Sequence, residues 1–206
     1  MQKIARWPAL LFLLLAASPA LAAGDLAAIR RQASRIDDLG PFLERYVGVC
    51  RDDTARGDCE RNVRVARRGL DGRIFSTVVG EQTLELVRPE RTAAGYRYVV
   101  TPFIDGGKGV ALTNGSPRRQ DAAGRPLVGL LVLDGPLPVG LDEAGLESAL
   151  RTGRVELEVL FRPERAWRLK RKGATGFYEG VGARFLALRL VESRTGLELA
   201  STIIAP

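Results

Sequence analysis

The chain has 206 residues, with 31 Lys and Arg against 24 Asp and Glu, a formal net charge of +7, two cysteines and no histidine. The missing histidine excludes Ser-His-Asp catalysis and removes the commonest general base and metal ligand. The length suits one domain, since domains typically hold roughly 100–200 residues.

Residues 1–22 read as a cleavable export signal. Lys3 and Arg6 supply a short positive start, residues 10–17 are an unbroken apolar run, and Ser18-Pro19 end it. Ala20-Leu21-Ala22 then puts small residues where signal peptidase reads them. The run is shorter than the roughly 20 residues a membrane-crossing helix needs, and no cysteine stands at the cut to accept a lipid. Cleavage after Ala22 removes Lys3 and Arg6 and leaves 184 residues with 29 basic and 24 acidic side chains, a net of +5. No later stretch is long and apolar enough to cross a bilayer, so a periplasmic or secreted location is expected. Only Lys3, Lys108, Lys170 and Lys172 are lysines. GC-rich coding accounts for that bias without any special role for arginine.

Residues 23–72 read as a helical segment packed on the main domain. Leu26, Ile29, Ala33 and Ile36 recur at helical spacing. Gly40-Pro41 interrupts, and residues 42–50 continue as a second helix with Pro41 at its first position. Asp58 caps a third helix over about 59–68, stopped by Gly69 and Gly72. Cys50 and Cys59, with eight residues between them that form a polar, turn-like segment, read as a disulfide clipping the second helix to the third, as an even cysteine count in an exported chain implies. The spacing is not that of a redox pair, which has two intervening residues.

Residues 73–206 read as a β-rich domain. Short apolar runs at 74–79, 84–87, 96–104, 110–112 and 127–133 alternate with turn signals such as Gly80-Glu81, Asp105-Gly106-Gly107 and Asn114-Gly115. The run at 127–133 predicts a strand buried on both faces. Residues 142–150 predict a short helix capped by Asp142. Val155, Leu157, Val159 and Phe161 alternate with charged residues and predict a half-buried strand. Residues 167–170 form a further short strand, and 183–191 and 197–204 supply two more. The expected fold class is α+β, a mainly antiparallel β-sandwich or small barrel with an N-terminal helical segment.

The chemistry left open is narrow. Gly106-Gly107-Lys108-Gly109 lacks the spacing of a phosphate loop and reads as a turn. Asp52, Asp53 and Asp58 match no calcium loop and read as turn and cap residues. Asp105 and Asp134 are the carboxylates that an alternative reading, a hydrolase acting on envelope glycan, would use. A barrel interior would suit a third reading, carriage of a small apolar ligand. No cofactor, metal ion or nucleic-acid partner is expected, and Asn114-Gly115-Ser116 reads as a turn before a glycosylation acceptor.

One stretch has binding character. Of the eleven residues 162–172, six are basic, and Glu164 alone opposes them. Arg162, Arg165, Arg168, Lys170, Arg171 and Lys172, with Trp167 among them, would suit anionic lipid headgroups, lipopolysaccharide phosphates or an acidic protein partner. Such a row equally suits a charged sheet edge.

The run Val99-Val-Thr-Pro-Phe-Ile-Asp-Gly-Gly-Lys-Gly-Val-Ala-Leu-Thr-Asn-Gly-Ser-Pro-Arg-Arg119 and the stretch Val155-Glu-Leu-Glu-Val-Leu-Phe-Arg-Pro-Glu-Arg-Ala-Trp167 resemble an uncharacterised family of exported bacterial proteins, known only as a domain of unknown function. The resemblance covers most of the mature chain and implies an envelope setting, with no catalytic residues to carry over. The expectation is an exported, non-enzymatic envelope protein that binds a protein partner or an anionic envelope component.

Overall fold

The computed structural model describes residues 20–48, 56–80, 86–107 and 109–204, with the backbone alone for 20–25, 56 and 86–88. Most of the stretch expected to be an export signal, together with Cys50, Asp52, Asp53 and Lys108, lies outside the described residues. Among the described residues there are four helices and ten strands: α1 (Ala20–Gln32), β1 (Ser34–Ile36), α2 (Leu39–Val47), α3 (Arg56–Leu70), β2 (Phe75–Gly80), β3 (Leu86–Thr92), β4 (Gly95–Val100), β5 (Phe103–Asp105), β6 (Val110–Asn114), β7 (Leu131–Gly135), α4 (Glu143–Arg151), β8 (Val155–Lys170), β9 (Phe177–Glu192) and β10 (Glu198–Ile203). This is an α+β fold of two sheets, sandwich-like and not closed into a barrel.

The larger sheet runs β1-β2-β8-β9-β6-β5, with β10 sharing the β6 edge of β9. It is mixed, because β1 runs parallel to β2 and β6 parallel to β9. The smaller sheet is β3-β4-β7 and is antiparallel. The main core lies between them. It joins Leu43 and Tyr46 of α2, Tyr98 and Leu133 of the small sheet, Leu146 of α4, and Phe161, Phe185 and Leu190 of the large one. On the opposite face of the large sheet, Leu26, Ile29 and Ala33 cover Leu160, Ala187 and Ile203. At Gly135 the two sheets approach closely, since a side chain there would strike the Leu199 carbonyl and Ala200.

Several expectations change for identifiable reasons. The helical stripe from Leu26 does not continue to Ile36. The first helix ends at Gln32 and Ile36 joins β1, so the stripe divides between the two faces of the sheet. The helix α2 starts two residues before Pro41, where Asp38 caps it by accepting from the Gly40 amide at 3.1 Å. Proline is tolerated there because first-turn amides have no intrahelical acceptor. Helix α3 starts at Arg56, so Asp58 sits inside its first turn, where a carboxylate favours the positive end of the helix. Gly69 lies within that helix.

The predicted 96–104 strand is two strands in different sheets, separated at Thr101-Pro102, where proline offers no amide to either ladder. The 127–133 run is not buried on both faces. Regular pairing begins at Leu131, and Leu127, Leu130 and Val132 are exposed, because among the described residues no further layer covers the outward side of the small sheet. The segments predicted at 154–162 and 167–170 are one continuous strand, β8.

Two bulges shape the β8–β9 ribbon. Leu160 pairs with Ala187 but Phe161 with Phe185, leaving Leu186 as an extra residue in β9. Pro163 pairs with Ala183 but Arg165 with Gly182, leaving Glu164 as an extra residue in β8. Each insertion reverses which sequence parity faces the core. Ala166 therefore packs on the core, while Trp167 turns to the α1 side of the sheet.

Candidate anion-binding surface

Beyond Phe161 the β8–β9 ribbon leaves β2 behind. On that edge β8 has no further partner strand among the described residues. The ribbon ends in the exposed turn 171–176, and the basic residues gather there. Arg168 pairs with Glu179 at 2.8 Å and lies 3.8 Å above the Phe177 ring. Arg171 lies 4.6 Å from the centroid of Tyr178. Lys170 and Lys172 are exposed, as is Arg165 nearer the bulge. Stacking on an aromatic face holds a guanidinium in place while leaving its edge free to donate.

Two residues of the predicted set stand apart. Trp167 is 7% exposed, covers Gly180 and donates from its ring nitrogen to Thr113 Oγ1 at 2.9 Å. Its ring is closed to a ligand. Arg162 lies on the α1 side of the sheet, cross-strand from Arg184, away from the ribbon end.

The structure also adds residues that lie far away in sequence. After β6 the chain turns at Gly115-Ser116 over Gly182, where a side chain would strike Ser116. It then reaches the open edge of β8. There the Gln120 amide donates to the Lys170 carbonyl and accepts from the Lys172 amide at 3.0 Å. Arg171 bonds inward to Gly176, so Lys170 and Lys172 present the backbone groups that a further strand would take. One side chain stands in for that strand. It also holds the exposed Arg118 and Arg119 beside the ribbon end. Nothing in local composition links Gln120 to Lys170, whereas Phe177 and Tyr178 follow from recognising Gly173 and Gly176 as a hairpin turn.

The carboxylates raised by the hydrolase reading have structural partners. Asp105 accepts from the Gly107 amide at 2.8 Å in the 105–110 turn, and Asp134 pairs with Arg97 at 2.9 Å. Asp58 is exposed and pairs with Arg61 at 3.3 Å. Asn114 accepts from the Phe185 amide, a structural use of that side chain. Among the described residues no group of three His, Cys, Asp or Glu converges as a metal site, and none of the described cysteines is free.

A family model, described as a family of unknown function (DUF6066), matches residues 3–203. The chain belongs to the DUF6066 family. For this family member no curated protein and no solved structure matches, so the basic ribbon end has no characterised counterpart to lend it a role.

Proposed function

We propose that this DUF6066 protein is an exported, non-enzymatic component of the bacterial envelope that binds anionic lipid headgroups through the end of the β8–β9 ribbon. The observation that carries the reading is the clustering of Arg168, Lys170, Arg171 and Lys172 with Arg118 and Arg119, opposed locally by Glu179. An array of cations on a projecting ribbon attracts an anionic surface over about a Debye length, roughly 8 Å at physiological salt. The leader sequence supports export, and the family match includes it. Cys59 is not a free thiol and Cys50 is the only other cysteine in the chain, which supports a disulfide between them.

The test uses vesicles. The mature chain should co-sediment with phosphatidylglycerol vesicles and not with phosphatidylcholine, and binding should weaken as salt rises. Replacing Arg165, Arg168, Lys170 and Lys172 with Glu should abolish it. Equal sedimentation of the variant and the wild type, or none by either, would falsify the reading. A mature N-terminus at Ala23 in the exported fraction, with both cysteines resistant to alkylation until reduced, checks the export half independently.

A further inference from the structure

A second cationic site lies on the α1 side of the large sheet, apart from the ribbon end. It is a cleft of about 370 Å³ lined by Gln32, Ser34, Gly72, Arg73, Ile74 and Arg162. Where α1 ends, the chain turns into β1, and where α3 ends, it turns through Gly72 into β2. The cleft is the space those two turns leave above β8. Arg162 enters it because the Phe161 side chain belongs to the core, so the next residue of the strand must point to the α1 side.

Its two guanidiniums are unequally satisfied. Arg73 donates to Ser34 Oγ at 3.1 Å and lies 5.4 Å from the centroid of Phe75. Arg162 has its Nε buried with no hydrogen-bond partner, and among the described residues it makes no ion pair. Neighbouring carboxylates are engaged elsewhere: Glu164 pairs with Arg184 at 3.1 Å, and Asp71 accepts from the Tyr46 hydroxyl at 2.9 Å. Among the described residues no acidic side chain lines the cleft. The ends of α1 and α3 contribute partial negative charge, but the nearby carbonyls of Arg30, Arg67 and Leu70 are already hydrogen-bonded. The buried Nε without an acceptor is unfavourable as it stands and is itself closed to the cleft, so an oxyanion there would meet the terminal nitrogens of the guanidinium, whose fork matches the paired oxygens of a carboxylate or phosphate.

We propose that this cleft binds a small molecule through an oxyanion group, phosphate or carboxylate, with Arg162 and Arg73 as its donors and the Ser34 hydroxyl beside them. A water occupies about 30 Å³ in the liquid, so the space holds an oxyanion with part of its attached skeleton. The volume falls within the usual range of small-molecule sites, roughly 300–1,000 Å³. The proposal does not rest on the ribbon end.

Calorimetric titration and thermal unfolding of the mature chain, with inorganic phosphate and with acetate at ionic strength held constant by chloride, test it. One of the two anions should bind and raise the unfolding midpoint, and which one does so identifies the class. Arg162→Gln and Arg73→Gln should each weaken binding by about tenfold or more. Arg162→Met, which keeps the length and loses the charge, should unfold at a higher temperature than the wild type without anion. The chain with the ribbon end reversed to Glu should bind as the wild type does, which separates this site from the vesicle-binding one. A wild type indifferent to both anions, or Arg162 variants that bind as tightly as the wild type, overturns the proposal.

Discussion

Gly180 is confined between the β6 backbone and the Trp167 ring. A Cβ at that position would lie 2.5 Å from Trp167 Cζ2 and closer still to the Ala111 carbonyl. The ring could shift, but the neighbouring strand could not without losing its ladder. Gly180→Ala should therefore destabilise the chain by about 1–3 kcal/mol, the usual cost of overpacking, read as a lower urea midpoint. An unchanged midpoint would show that the ring and the strand leave room for a methyl group. Glu192 makes a different residue-scale case. It is 2% exposed, accepts from the Thr195 hydroxyl and amide, and lies 3.6 Å from Arg154. Its carboxyl is held below the usual range, first by the Thr195 hydroxyl, then by the amide and the Arg154 charge, against the opposing effect of burial. A depressed folded value means the contribution is complete above the unfolded pKa of about 4.3 and is lost as pH falls through the folded value. Glu192→Gln should lower stability at neutral pH and flatten the acid limb of a stability–pH curve. An acid limb of unchanged slope would remove Glu192 from that role.

At the scale of elements, the loop 116–126 depends on one side chain for its place beside β8. Gln120→Ala removes both bonds to Lys170 and Lys172. Hydrogen exchange at the Lys172 amide should accelerate, while the amides of 156–161, paired with β2, keep their protection. Uniform acceleration would mean the loop supports the whole sheet. The same elements explain what the sequence could and could not reveal. Strands β2 and β10, helix α4 and the first half of β8 were legible because alternation and capping are local. The bulges were not, because Leu186 and Glu164 are extra residues only relative to a partner strand. Pairing of β1 with β2 depends on an available edge, which Ile36 does not announce. Proline at 89 was a readable warning: it falls at the register shift of β3, which pairs on one side only.

Across the whole molecule, the large sheet divides its labour along β8 and β9. Residues 155–161 hold the core between layers, and 165–170 carry charge into solvent. The basic run was visible in the sequence as a single stretch. Its partition among an exposed end, a buried tryptophan and a separate cleft was not, because the partition comes from the bulge at Glu164 and the loop crossing from β6. Between Phe161 and Lys170 the outer edge of β8 meets no described strand, which has a consequence for how the protein can be varied. Unpaired strand edges invite a second copy to dock, and repulsion between like charges prevents it whichever sign the charges carry. Reversing the lysines and arginines to glutamate keeps that protection, whereas trimming them to alanine exposes a bare template. An alanine-substituted chain that loses the proposed anionic ligand would, on this ground, gain itself as a partner, and a dimer in its sedimentation profile would be the sign.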